Sequence, residues 1–346
     1  MTVEAAETDV LVTGGSGFLG GHLVRRLLVD GYRVRLLVRT PSALAEEWAH
    51  QCQIIQGSLA DSDSLAKAVA GVSFVFHCAG NVKTWDKWEA YYEANVSGVQ
   101  NLLQAISAFN PALSRLIHVS TADVYGFPEH PCDELTPTPS TVFGYAESKR
   151  LGEELVTRFC REKHIPFTIA RPTNIIGPGS QFIERMGEAL QSGVMLTVDG
   201  GRVNAGIVYV KNLVDYLVWA AQDDAACGEC YNMRDAYDVT WAEFIAAFRT
   251  AIEGRGLVLN LTYRAAMRVA HWTQTTYRLL PMSAEPFLHP LLVNIFGRTC
   301  GHDASKLRAH SGLPVGVGFD EALRQSVSWF LQRNARPAKP TTIESE

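Results

Sequence analysis

Thr13-Gly14-Gly15-Ser16-Gly17-Phe18-Leu19-Gly20 decides the fold. It follows an apolar run, Asp9–Thr13, and opens a helical stripe of Leu19, Leu23, Val24, Leu27 and Leu28. Arg25, Arg26 and Asp30 lie off that stripe and Gly31 stops it. Glycines at 14, 17 and 20 let the backbone turn tightly, approach a pyrophosphate, and pack the helix against the strand. The helix N-terminus then offers free N–H groups and a positive dipole end to phosphate. A glycine triplet alone signals only a turn. Its strand–turn–helix setting points to a dinucleotide site.

Working outward, strand-length apolar runs recur at Arg33–Val38, Gln53–Gln56, Phe74–Cys78, Arg115–Ser120 and Phe167–Arg171, with helical patterns between. The runs are continuous rather than alternating, as in strands buried on both faces. The series predicts an α/β fold, a doubly wound parallel sheet of the Rossmann kind with a smaller C-terminal substrate lobe. Residues 9–180 are expected to form the cofactor core, with 205–235 returning to it. Residues 181–330 then make mainly the substrate lobe, and 1–8 and 334–346 are expected to be flexible ends.

The chain has 346 residues, is 47% hydrophobic, and carries a net charge of −5 without long like-charge blocks. That argues against a basic nucleic-acid binder, and no apolar run is long enough for a transmembrane helix. The acidic first ten residues lack the basic region of a secretory signal. Seven cysteines without a spaced framework suggest reduced thiols and a cytoplasmic protein. Cys227-Gly228-Glu229-Cys230 has no second pair, so no metal site is expected.

Two further features carry chemistry. The second strand ends Val38-Arg39, with an apolar residue where a ribose-binding carboxylate would stand. A guanidinium there suits a 2′-phosphate, which favours NADP(H) and leaves NAD(H) open. Tyr145-Ala146-Glu147-Ser148-Lys149 puts a phenol and an ammonium on one helix face. The ammonium is expected to lower the phenol's pKa toward working pH, and Leu151, Leu155, Val156 and Phe159 to form that helix's buried side.

The G-x-x-G-x-x-G spacing after Thr13 resembles the extended short-chain dehydrogenase/reductase family. So do His77-Cys78-Ala79-Gly80, the Asn95–Asn101 segment, His118–Gly126, Tyr145–Lys149, and Arg171-Pro172-Thr173-Asn174 through Gly179. Val208–Asp215 and Glu229–Asn232 match later family segments. Phe287–Arg298 and Asp303–Lys306 are similar to the 3β-hydroxysteroid dehydrogenase and dihydroflavonol-reductase-like branch.

The resemblance implies Thr121, Tyr145 and Lys149 as catalytic residues. It implies cofactor contacts at Gly14, Ser16, Gly17, Phe18, Leu19, Gly20, Arg39, Leu59, Cys78, Ala79, Gly80, Asn95, Tyr145, Lys149, Pro172, Thr173, Asn174 and Ile175. Ser58 is included too, although it stands where the family has Asp. Lys83, Trp85, Ala122, Asp123 and Thr173 are substrate candidates.

The implied reaction interconverts a ketone and a secondary alcohol by hydride transfer. The stretch 257–298, with Met267, Trp272, Tyr277, Leu279, Leu280, Met282 and Phe287, suggests a small hydrophobic substrate: a sterol, β-keto acyl or polyketide-like compound. The indoles of Trp85 and Trp88 are expected near that pocket. The same aromatics would also suit lobe core, peripheral membrane contact or a homodimer interface. A nucleotide-sugar epimerase or reductase, and a non-catalytic NADP-binding sensor, remain the alternative functions.

Overall fold

A computed structural model describes residues 8–44, 46–280, 284–314 and 316–335. The strands are β1 (Asp9–Thr13), β2 (Arg33–Val38), β3 (Gln53–Gln56), β4 (Phe74–His77), β5 (Arg115–Val119) and β6 (Phe167–Pro172), then β7 (Asn174–Ile176), β8 (Val194–Val198), β9 (Ile207–Tyr209), β10 (Cys230–Met233) and β11 (Leu257–Leu261). The helices of the first half are α1 (Phe18–Val29), α2 (Glu46–Gln51), α3 (Ser62–Val69), α4 (Trp88–Tyr92), α5 (Gly98–Phe109) and α6 (Gly144–Lys163). Those of the second half are α7 (Gln181–Ser192), α8 (Val210–Gln222), α9 (Trp241–Ala251), α10 (Tyr263–Leu279), α11 (Pro290–Gly297), α12 (Ser305–Ser311) and α13 (Phe319–Ala335).

Seven strands form one parallel sheet in the order β10-β6-β5-β4-β1-β2-β3. Alternation within β1 explains the two helical layers: Val10 and Val12 pack with α1 and α8, and Leu11 packs with α3 and α5. Parallel pairing brings the C-terminal ends of β1, β4, β5 and β6 to one edge. The order reverses between β1 and β4, which opens the crevice where such sheets bind ligands.

The chain leaves the sheet after β6 and re-enters it through β10, which pairs with β6 in parallel. Between and after these excursions α7, α9 and α13 enclose a second core around Trp241, Phe244, Phe248 and Phe330. Two small parallel sheets, β8–β11 and β7–β9, join it to the rest.

Some expectations need correction. Thr8 is buried and its carbonyl accepts the Arg33 N–H, while α13 continues through Asn334 to Ala335. Thr8 and Asn334 thus have structural partners or helical backbone within the expected free ends. On α6 the buried face carries Ser148, Lys149, Gly152, Glu153, Val156 and Cys160, and Leu151, Leu155 and Phe159 are only half-buried. The polar residues go inward because Lys149 and Glu153 meet acceptors and donors from the sheet. Cys227 is exposed beside a left-handed turn at Gly228, while Cys230 sits in β10. Among the described residues no helix is long and apolar enough to cross a membrane.

Candidate active site

A cleft of about 1510 Å³ runs along the C-terminal edge of the sheet and under the lobe. Its floor at one end is the β1–α1 turn. Gly14 takes φ 75°, its carbonyl accepts the Gly17 N–H at 3.0 Å, and α1 begins at Phe18 with no side chain capping its N–H groups. A Cβ on Gly14 would lie 2.7 Å from Ala79 N, and one on Gly20 would lie 2.1 Å from Gly14 O. The turn is thus pressed between α1 and the end of β4, leaving bare amides toward the cleft. Ser16, Gly17, Phe18, Leu19, Cys78, Ala79 and Gly80 all line it. This cradle fits a dinucleotide pyrophosphate.

Arg39 stands on the rim, exposed, with no partner for its guanidinium among the described residues. Ser58 and Leu59 line the same end, but the Ser58 hydroxyl accepts the Ala60 N–H at 3.2 Å and serves its own loop.

Asn95 is buried behind the wall rather than on it. Its amide accepts the Asn81 N–H at 2.8 Å and donates to Asn81 O and Ser148 Oγ, each at 2.9 Å. It therefore ties the loop after β4 to α6. That is a structural, positioning role for the amide.

Thr121, Tyr145 and Lys149 converge in the middle of the cleft. Thr121 follows β5 and accepts the Asp123 N–H at 3.2 Å, capping a short turn. Tyr145 sits in the first turn of α6, with Lys149 one turn on. The Lys149 ammonium is buried and donates to the Val119 carbonyl at 2.6 Å. Burial lowers its pKa to about 8, against the pull of Glu153.

The expected lowering of the Tyr145 pKa is reversed. Desolvation by burial raises it most, the Asp123 carboxylate adds to this, and a hydrogen bond with Thr121 opposes them only in part. At neutral pH the phenol holds its proton.

Beyond this cluster Pro172, Thr173, Asn174 and Ile175 form one wall. The Asn174 amide donates to Ala205 O at 2.7 Å, and the Thr173 N–H donates to Met233 O at 3.2 Å, so the wall is pinned to the returning segment. The far end is apolar, walled by Phe182, Met186, Leu196, Phe287, Leu292 and Phe296.

Only part of the expected aromatic stretch reaches the cleft. Phe287 does, whereas Met267 packs inside the lobe and Trp272, Leu279 and Leu280 face solvent. Tyr277 is half-buried off the cleft, and Met282 lies outside the described residues.

Lys83, Ala122 and Asp123 line the cleft, Lys83 also pairing with Asp86 at 3.3 Å. The two indoles do not line it. Trp85 packs on His289, with ring centroids 5.5 Å apart, and Trp88 lies against Tyr92. Trp85 is held there by a polar clamp that the sequence reading missed. Glu285 accepts from Arg185 at 2.7 Å, meets His289 at 3.1 Å, and bonds the Thr84 hydroxyl. Burial would raise its pKa, but these three partners hold it at about 2. The clamp joins the loop after β4 to α7 and the lobe, and Trp85 covers it. One signal was available: Glu285 is the single acid between Glu253 and Asp303.

Residues 10–233 match the NAD dependent epimerase/dehydratase family, and the chain belongs to it. It is an extended short-chain dehydrogenase/reductase and an oxidoreductase. It is 31% identical to the 4-hydroxy-2-methyl-3-oxo-4-farnesyl-3,4-dihydroquinoline-1-oxide ketoreductase of Stigmatella aurantiaca, over 91% of this chain and 95% of that protein. It is 29% identical to a 3 beta-hydroxysteroid dehydrogenase/Delta 5→4-isomerase of Mycobacterium tuberculosis, over 93% and 90% of the two. The fold is shared with a UDP-glucuronic acid 4-epimerase from Bacillus cereus, with a TM-score of 0.74 at 21% identity over 94% of this chain and 100% of the other.

Proposed function

We propose that this protein is an NADP(H)-dependent oxidoreductase that interconverts a ketone and a secondary alcohol on a hydrophobic substrate. The observation that carries the reading is the convergence of Thr121, Tyr145 and Lys149 between a glycine cradle and an apolar cleft end. The names of the two relatives, one acting on a farnesylated quinoline and one on a steroid, support it from outside.

Gly14, Ser16, Gly17 and the amides opening α1 would hold the pyrophosphate, and Arg39 would take the 2′-phosphate. Cys78, Ala79, Gly80, Lys149, Thr173 and Asn174, which line the same cleft, would hold the nicotinamide half. The bound nicotinamide supplies or accepts the hydride.

For reduction, Thr121 and Tyr145 donate hydrogen bonds to the substrate carbonyl oxygen. Tyr145 then transfers its phenolic proton to that oxygen as the carbon becomes tetrahedral; oxidation runs in reverse. The phenol is protonated at neutral pH, as reduction requires, and its raised pKa opposes the phenolate that oxidation would need. The Lys149 ammonium stays within one turn of Tyr145 and stabilises the phenolate left behind.

The far wall offers little to a sugar diphosphate. Its cation, Arg185, is already paired with Glu285. The test is consumption of NADPH and NADH against β-keto acyl compounds, keto-steroids and 4-keto nucleotide sugars, with Tyr145→Phe as control. Expected is NADPH oxidation on the apolar ketones, lowered at least a hundredfold in Tyr145→Phe while NADPH still binds. Turnover confined to nucleotide sugars, or full activity in Tyr145→Phe, would overturn it.

A further inference from the structure

The exposed side of α10 has no role in the chemistry above, yet its composition is ordered. Arg264, Arg268, His271, Thr275 and Arg278 follow one another at four- and three-residue steps, so they form one stripe along the helix. Val269, Trp272, Thr276 and Leu279 form a second stripe beside it at the same spacing. Trp272 is 71% exposed and Leu279 79%. Tyr263–Leu279 contains no acidic residue, in a chain whose net charge is −5. None of the three arginines has a carboxylate partner among the described residues.

The inner face of the same helix backs the substrate end of the cleft. Ala266 and Ala270 pack with Leu288, and Leu292 and Phe296 lie against that cluster. Leu288, Leu292 and Phe296 also line the cleft. The Thr273 hydroxyl donates to the Leu288 carbonyl, fixing the helix beside Phe287. Phe287 lines the cleft and is 65% exposed, so it stands at the mouth.

We infer that α10 docks on the headgroup layer of an anionic lipid bilayer, setting the mouth at Phe287 against the membrane so that an apolar substrate can enter from it. The delivery part rests on the hydrophobic-substrate reading; the docking part does not. A helix with adjoining basic and apolar stripes and an interfacial tryptophan is built for that layer, where arginines meet lipid phosphates and Trp272 and Leu279 enter the acyl boundary. A second copy docked on this face by a two-fold axis would bring its own three arginines against these, which disfavours self-association.

The test is co-sedimentation of the full-length protein with phosphatidylcholine vesicles, with and without phosphatidylglycerol, at low and at raised salt. Binding is expected to the anionic vesicles, weak to the neutral ones, and reduced by salt. Arg264→Ala, Arg268→Ala and Arg278→Ala should each weaken it about fivefold. A blue shift of tryptophan emission on binding should shrink in Trp272→Phe. All four positions are exposed or peripheral to the cores, and an unchanged melting temperature confirms intact variants.

No sedimentation with anionic vesicles at low salt, or binding indifferent to all four substitutions, would overturn the inference, as would self-association through α10 without vesicle binding. Vesicle binding needs no turnover. Its loss with ketone reduction intact would sink docking alone, and docking with turnover confined to nucleotide sugars would sink the substrate reading alone.

Discussion

Glu153 lies one helical turn beyond Lys149 on α6, and its carboxylate grips Arg171 near the end of β6 from two sides. Oε1 accepts Nε at 3.0 Å and Oε2 accepts Nη2 at 2.7 Å. Arg171 also donates to the Tyr125 hydroxyl at 2.9 Å. Both charged groups are buried, so the pair sets the helix of Tyr145 against the strand that leads to Thr173. Glu153→Ala would leave a buried guanidinium without its counter-charge, which costs about 3–5 kcal/mol. Urea unfolding should show that loss, and Glu153→Met combined with Arg171→Met should recover part of it. Equal stability of the double and single variants would mean the pair's charge is not what matters.

Gly20 faces Gly14 across the phosphate turn, and the 2.1 Å left for a Cβ cannot be accommodated by a flexible side chain, because the opposing atom is a backbone oxygen. Gly20→Ala must push α1 away from the turn. The expected result is at least tenfold weaker NADPH binding by fluorescence titration, with destabilisation of about 1–3 kcal/mol. Normal binding would mean the turn can shift without losing its amides.

Arg39 offers a guanidinium without a partner among the described residues, next to the apolar Val38. A charge-assisted contact to a 2′-phosphate is worth about 1.5–3 kcal/mol. Arg39→Ala should therefore raise KM for NADPH roughly ten- to a hundredfold and leave KM for NADH nearly unchanged. An equal effect on both cofactors would remove the basis for NADP preference.

The sheet was legible because most of its strands are buried on both faces, the exception being the edge strand β3. Asp9–Thr13, Arg33–Val38 and Gln53–Gln56 emerge with their expected bounds, and β4, β5 and β6 differ by one residue at the C-terminal end. The glycine turn was legible for the same local reason, since strand, turn and helix are contiguous. The lobe was not. Glu285 meets Thr84 and Arg185 across 201 and 100 residues, and no local pattern encodes such a meeting. That clamp takes Trp85 out of the cleft. Helical spacing likewise put Tyr145 and Lys149 on one face, but the lysine's partner, Val119 O, comes from β5, and the burial that raises the Tyr145 pKa is set by the tertiary fold.

Asp123 gives the site a pH dependence of its own. It lines the cleft two residues after Thr121, no hydrogen bond reaches its carboxylate among the described residues, and burial pushes its pKa up to about 7. The folded protein then keeps a proton that the unfolded chain releases near pH 4, so stability falls as pH rises from about 4 through 7 and stays lower above. Asp123→Asn removes that loss. Its melting-temperature advantage over wild type should be larger at pH 9 than at pH 5, by an amount corresponding to about 2–3 kcal/mol. Ionised Asp123 also helps to hold the proton on Tyr145, so the variant's alcohol oxidation should reach its plateau at lower pH. A gap in melting temperature that is the same at pH 5 and pH 9 would mean that the carboxylate is already ionised at the lower pH and that burial does not raise its pKa.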